Sequence, residues 1–172
     1  MKNLIGCVLL FLLVGCGYSG FIPEDVEIPV GFETGEFKVR PITVADAEKD
    51  YEAVMESIAI IHARLLDDGW PTTAFSLEEN RKDMERKERR RERRSSFTYA
   101  VVSPDESRVL GSVYINEGIG GPDAAVFLWV RKSEEGTGLD SRLEAGVRKW
   151  IGEAWPFDRV VYPGRGQSAL TP

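Results

Sequence analysis

Apolar residues are arranged along this chain in three patterns, and each predicts a different element. The first is an unbroken run from Leu4 to Val14 behind one basic residue, Lys2. At about eleven residues it is well short of the roughly 20 that a helix needs to cross a hydrocarbon core. The second pattern is alternation. Phe37-Lys38-Val39-Arg40 alternates apolar and polar side chains and predicts a strand, with Pro41 favouring an edge or terminal position. Phe97 to Val102 and Val109 to Ile115 are strand-like runs joined by the turn composition Ser103-Pro104-Asp105-Glu106-Ser107, which predicts a hairpin. Ala124 to Val130 and Arg159 to Tyr162 add two further short strands.

The third pattern is helical spacing. Ala47, Tyr51, Val54 and Met55 share one face, and the pattern resumes through Ile58, Ile61 and Leu65 before Gly69 and Pro71 end it. Thr43 and Asp46 sit three apart ahead of this stretch, a variant of the capping box. Ser76 and Glu79 form a second box that opens a strongly charged helix reaching about Arg94. Leu139, Leu143, Val147, Trp150, Ile151 and Ala154 define a last amphipathic helix. The order strand, helices, three strands, helix, strand predicts an α/β fold (α+β by some conventions), a mixed central sheet flanked by helices. The final strand–helix–strand unit should link parallel strands.

Positions 1–15 have the layout of an export signal: basic start, apolar run, small residues. Leu13-Val14-Gly15-Cys16 resembles the lipobox of bacterial lipoproteins. That resemblance implies cleavage before Cys16, with diacylglycerol and palmitate-type acyl chains carried on its thiol. The membrane is then a partner through lipid alone, since buried methylenes contribute roughly 0.8 kcal/mol each. The protein would reside in the cell envelope, on the outer face of the inner membrane or on the outer membrane; it would be cytoplasmic if translation starts downstream. Positions 16–36 are rich in Gly, Pro and acidic residues and read as a tether with a short extended piece at Val26 to Val30. Positions 37–166 form one domain and 167–172 a flexible tail.

Apart from Cys16 the exported chain keeps no cysteine, because Cys7 lies in the signal, so neither a disulfide nor a thiolate metal site can form. The single histidine, His62, excludes multi-histidine metal sites and is expected to pack or face solvent. Trp70, Trp129, Trp150 and Trp155 read as core residues. From Arg81 to Arg94, nine Lys or Arg against four Asp or Glu leave +5 on a chain of net −6, so the remainder carries −11. A solvated helix with i,i+4 pairs explains this run, and a face toward anionic lipid or cell-wall polyanions is the functional alternative. Nucleic acid is not an expected partner for an exported acidic protein. No Walker loop, Rossmann fingerprint, zinc spacing or nucleophile elbow occurs.

Val39-Arg40-Pro41-Ile42-Thr43-Val44-Ala45-Asp46-Ala47 and the segment Leu128-Trp129-Val130-Arg131-Lys132-Ser133-Glu134-Glu135-Gly136-Thr137-Gly138-Leu139-Asp140 resemble the first strand and the acetyl-CoA strand, loop and helix of the GNAT N-acetyltransferase superfamily. The resemblance spans roughly Glu36 to Arg165. It implies an acetyl-CoA-dependent N-acyltransferase with an amine-bearing acceptor, needing no metal. It also implies cofactor contacts at Val130, Arg131, Gly136, Thr137 and Gly138, where amides at a helix N-terminus cradle a pyrophosphate. Glu135 stands where the family has Gln or Arg, and Asp140 where it has Gly or Ala. Asp140 could cap the helix and occupy its amides, or those amides stay free to hold the diphosphate. The chain ends about ten residues after Tyr162, before the helix and hairpin that close family members, and no residue matches the tyrosine their tail supplies. Tyr114 and Tyr162 read as packing residues. Glu117, near its strand end, is the candidate base, with an exposed loop carboxylate as the alternative. Gly164-Arg165-Gly166 reads as a flexible loop, or as an anion cradle. Because acetyl-CoA is made and kept inside the cell, a non-catalytic envelope lipoprotein reusing the fold for binding stays open beside the enzyme.

Overall fold

The computed structural model describes residues 20–67 and 69–165. Cys16, the signal at 1–15 and the tail at 167–172 lie outside the described residues. In chain order the elements are β1 (Phe32–Glu33), β2 (Lys38–Pro41), α1 (Ala47–Glu56), α2 (Ile58–Leu65), α3 (Leu77–Glu92), β3 (Ser96–Val102), β4 (Val109–Glu117), β5 (Ala124–Val130), α4 (Leu139–Ala154) and β6 (Val160–Val161). The strands form one six-stranded sheet in sequential order. Neighbours are antiparallel up to β5, and β6 runs parallel to β5 across α4.

Both capping boxes form. Thr43 N–H donates to Asp46 Oδ2 at 3.0 Å and opens a 3-10 turn that leads into α1. Ser76 N–H donates to Glu79 Oε2 at 2.8 Å, while Glu79 N–H donates back to Ser76 Oγ at 3.2 Å. The first helical stretch breaks at Ser57, whose φ of −120° leaves the helical region. Apolar spacing continues across that break, so periodicity runs through it.

The sheet separates two cores. On one face α4 buries Leu139, Leu143, Val147, Trp150 and Ile151, worth about 10 kcal/mol at roughly 2 kcal/mol per large apolar side chain. Trp150 and Trp155 join Tyr99 and Phe97 there in edge-on contacts with centroids 5.0 Å apart. On the other face α1 to α3 enclose Val54, Ile61, Met84 and Trp129. The expected tether is not one from Gly20 onward. Ile22 is buried in the α4-side core, Phe21, Val26 and Ile28 pack against it, and Phe32 starts a strand on β2. Phe21 stacks on Phe157 at 5.5 Å. These apolar residues follow neither helical nor strand period, which is why their burial left no periodic trace.

Candidate cofactor-binding site

The site is built where β5 loses its outer neighbour. β6 pairs with β5 only at Ala124 and Ala125, so on that edge Val126 to Val130 have no paired strand. The ladder's alternation fixes which groups face the edge. Arg131 N–H donates to Leu110 O on the β4 side and Ala124 N–H to Arg159 O on the β6 side. Val130 and Leu128 therefore turn their backbone groups away from β4, toward the open edge. At Gly111 β4 approaches so closely that a Cβ there would lie 2.1 Å from Trp129 O.

Beyond Val130 the chain makes a 3-10 turn, Lys132–Glu134, and reaches α4 through Gly136 and Gly138 at φ +79° and +80°. Only glycine takes that conformation without strain. A Cβ on Gly138 would also fall 2.7 Å from Arg142 Nη1. Contacts from far along the chain hold the turn. Glu56 accepts Arg131 Nε and Nη2 at 2.7 Å each, and Ser133 N–H at 3.1 Å. Ser57 Oγ, at the break between α1 and α2, accepts Lys132 N–H at 2.9 Å. The guanidinium of Arg131 draws the Glu56 carboxyl down to about 2.

The amides at this corner are divided. Thr137 N–H goes to Glu134 O at 3.3 Å and Leu139 N–H to Thr137 Oγ1 at 3.2 Å. Among the described residues the N–H groups of Gly136, Gly138, Asp140 and Ser141 have no acceptor. Asp140 does not cap the helix. Its carboxylate accepts Arg165 Nη2 at 2.6 Å and Arg64 Nη2 at 2.9 Å. Two guanidiniums thus balance the charge that the sequence placed beside the amides, and leave those amides open. Arg165 also donates to Glu144 Oε2 at 2.6 Å and to Leu128 O at 3.1 Å. Burial works against the Glu144 carboxylate, but hydrogen bonds from Arg165 and Arg148 hold it below its ordinary value. The expected flexible loop at Arg165 is therefore a pinned one, with the side chain 3% exposed.

Gly136, Thr137 and Gly138 lie at the mouth of α4, and Val130 ends the open strand edge. Arg131 is buried with its side chain turned to Glu56 and Val109 O, away from the loop glycines. Glu135 is exposed. Glu117 is exposed and pairs with Ala124, whereas Val130 pairs with Gly111. Six residues of strand separate these ends, about 20 Å, so Glu117 sits at the opposite end of β4 from the amides. Tyr114 is packed on the α1–α3 face, accepting Trp129 Nε1–H at 3.2 Å. His62 Nε2 lies 2.8 Å from Pro71 O. Arg64, Glu56 and Ser57 carried no local signal, since their partners are 75 or 76 residues away.

No family model matches the chain, and no curated protein sequence does. Solved structures do. Ribosomal-protein-S5-alanine acetyltransferase from Vibrio fischeri is 19% identical with a TM-score of 0.58, over 73% of this chain and 69% of that one. Ribosomal L7/L12 alpha-N-protein acetyltransferase, solved with coenzyme A, is 22% identical at TM-score 0.54, over 72% and 67%. Microcin C7 self-immunity acetyltransferase, solved with acetyl-CoA and AMP, is 13% identical at TM-score 0.59, over 74% and 69%. At such identities the likeness establishes the fold. The mixed six-stranded sheet with flanking helices is that of the GNAT acetyltransferases, as the sequence resemblance implied.

Proposed function

We propose that this chain is an acyl-CoA-dependent N-acyltransferase domain carried on a membrane-anchored lipoprotein. The observation that carries the acyltransferase half is the set of unpartnered N–H groups of Gly136, Gly138, Asp140 and Ser141 at the N-terminus of α4. They continue from an unpaired strand edge, Val126 to Val130. Donors of this kind suit a diphosphate, because unsatisfied amides and the helix dipole both favour negative charge. A strand edge suits the amide-bearing arm of coenzyme A, which can add to it as a short strand does. Acetyl-CoA bound there would supply an activated acyl group to an amine. The chain's own residues would hold the diphosphate at Gly136 to Ser141 and the arm along Leu128 to Val130. No group of the described residues is assigned as base.

Calorimetry with acetyl-CoA tests this reading. Heat of binding that disappears in Gly138→Val supports it, and no signal at millimolar ligand ends it. The anchoring half rests on Leu13-Val14-Gly15-Cys16, and intact-mass measurement on protein extracted from membranes would reveal or deny diacylglycerol on Cys16.

One observation favours a second reading, in which the domain binds without catalysis. Arg165 donates to Leu128 O at 3.1 Å and so occupies an acceptor on the strand edge that an acyl arm would use. Under that reading the native protein does not bind acetyl-CoA and Arg165→Ala, which frees Leu128 O, allows binding, whereas under the enzymatic reading the native protein already binds it.

A further inference from the structure

The C-terminal half of α3 borders a groove of about 1040 Å³ lined by Arg86, Arg89, Arg90, Arg93 and Arg94, with Glu24 and Glu92 as the opposing charges. The five guanidiniums are not equivalent. Arg86 pairs with Asp83 at 2.9 Å and Arg89 more loosely with Glu85 at 3.6 Å. Arg94 is structural, donating to Pro23 O and Val26 O at 2.7 Å each. Arg90 and Arg93 are exposed and have no ion pair among the described residues. Arginines at a helix C-terminus are favoured by its dipole. That preference does not explain why the opposite wall of the same groove is the segment Gly20 to Glu24.

That wall ties the groove to the N-terminal end of the chain. Ile22 N–H donates to Arg94 O, and a Cβ on Gly20 would lie 2.4 Å from Arg93 O. The backbone at Gly20 is therefore pressed against the end of α3, and whatever precedes it starts from the arginine groove. Cys16 is four residues upstream, a span of at most about 14 Å. A lipid on that cysteine brings the groove to the bilayer surface within about two Debye lengths at physiological salt.

We infer that this groove is the membrane-facing surface of the protein and seats the phosphate headgroups of anionic phospholipids. The inference rests on the lipoprotein reading for its geometry. It gives a physical role to a basic face on a chain of net charge −6: an acidic protein held at an anionic bilayer by one lipidated residue would be pushed away from it. Basic residues at the contact reverse that push and fix which side faces the lipid. Arg90 and Arg93 supply the unpaired charge, with Arg86 and Arg89 at the rim.

The test uses residues 16–172 with Cys16→Ser, which contains every described contact and lacks the lipid. It is sedimented with phosphatidylcholine vesicles with or without phosphatidylglycerol. Binding is expected only with phosphatidylglycerol and should weaken as salt rises. Arg90→Ala/Arg93→Ala should lower it about 25-fold, roughly fivefold per arginine, with an unchanged melting temperature. Lys132→Ala/Lys149→Ala, which removes the same charge elsewhere, should lower it far less. Equal losses in the two double variants, equal binding to neutral vesicles, or tighter binding to heparin than to the anionic vesicles would each overturn the inference. An intact mass without diacylglycerol would refute the anchoring reading instead, and leaves the vesicle result to be judged separately.

Discussion

Glutamine in place of Glu56 removes the charge that pins the loop ahead of the open amides, and the structure gives the size of the loss. Glu56 accepts Arg131 Nε and Nη2 at 2.7 Å each, with Ser133 N–H at 3.1 Å and Ser133 Oγ–H at 2.9 Å. Hydrogen bonds from Arg131 draw its carboxyl from an ordinary 4.5 to about 2, which converts to about 3.4 kcal/mol at 1.36 kcal/mol per decade. The Glu56 side chain is 31% exposed, so solvent screening reduces this to about 1–2 kcal/mol. A carboxylate with a depressed pKa stabilises the fold fully above its unfolded value and loses that contribution as pH falls toward the folded one. Urea denaturation of the two proteins should therefore show a gap of about 1–2 kcal/mol near neutral pH. The gap should narrow below about 4.5 and nearly close near 2, the window set by the folded and unfolded values. Other carboxylates titrate in both proteins and cancel in the difference. A gap that stays constant across that window, or is absent at neutral pH, would refute the assignment of Glu56 as the loop's electrostatic anchor.

Three further outcomes are expected. Lys87→Met should cost about 3–5 kcal/mol by thermal or chemical denaturation, because it leaves the buried carboxylate Asp50 without the cation beside it and leaves Asp83, 2.7 Å from Lys87, with Arg86 alone. Burial already raises Asp50, so this deficit should shrink as pH falls and Asp50 takes up a proton. Gly111→Ala places a methyl against Trp129 O and should cost about 1–3 kcal/mol, read as a melting-temperature fall of roughly 3–10 °C. Asp140→Ala and Arg165→Ala should be non-additive in a double-mutant cycle, with a coupling of about 1–3 kcal/mol, since the two form a direct 2.6 Å ion pair, while in the single variants Asp140 keeps Arg64 and Arg165 keeps Glu144.

Local sequence chemistry was legible wherever one residue sees its neighbours within a turn of helix or a strand. The capping boxes at Thr43 and Ser76, the hairpin at Ser103 to Ser107 and the amphipathic face of α4 all formed where the pattern placed them. What stayed hidden has a common physical origin. The Gly20 to Glu36 segment is held by aromatic packing without a period, as Phe21 on Phe157 shows. The break at Ser57 leaves the apolar pattern uninterrupted, and the partner of its hydroxyl, Lys132 N–H, lies 75 residues later. Whether Asp140 caps the helix stayed open in the sequence because capping is the nearest partnership available to it. In three dimensions guanidiniums 76 residues before it and 25 after it outcompete the amides.

That last result changes how a departure from a motif should be weighed. In one dimension Asp140 adds negative charge beside a site for a polyanion, at a cost on the order of 1–3 kcal/mol. In the fold the carboxylate is matched by Arg64 and Arg165, and Glu144 by Arg165 and Arg148. Three guanidiniums neutralise the two carboxylates, so Asp140 brings no net negative charge to the mouth of α4. The acidic residue therefore acts as the fixed point that holds Arg165 against Leu128 O, next to the strand edge. The substitution that weakens the motif on paper is the one that orients a cation there.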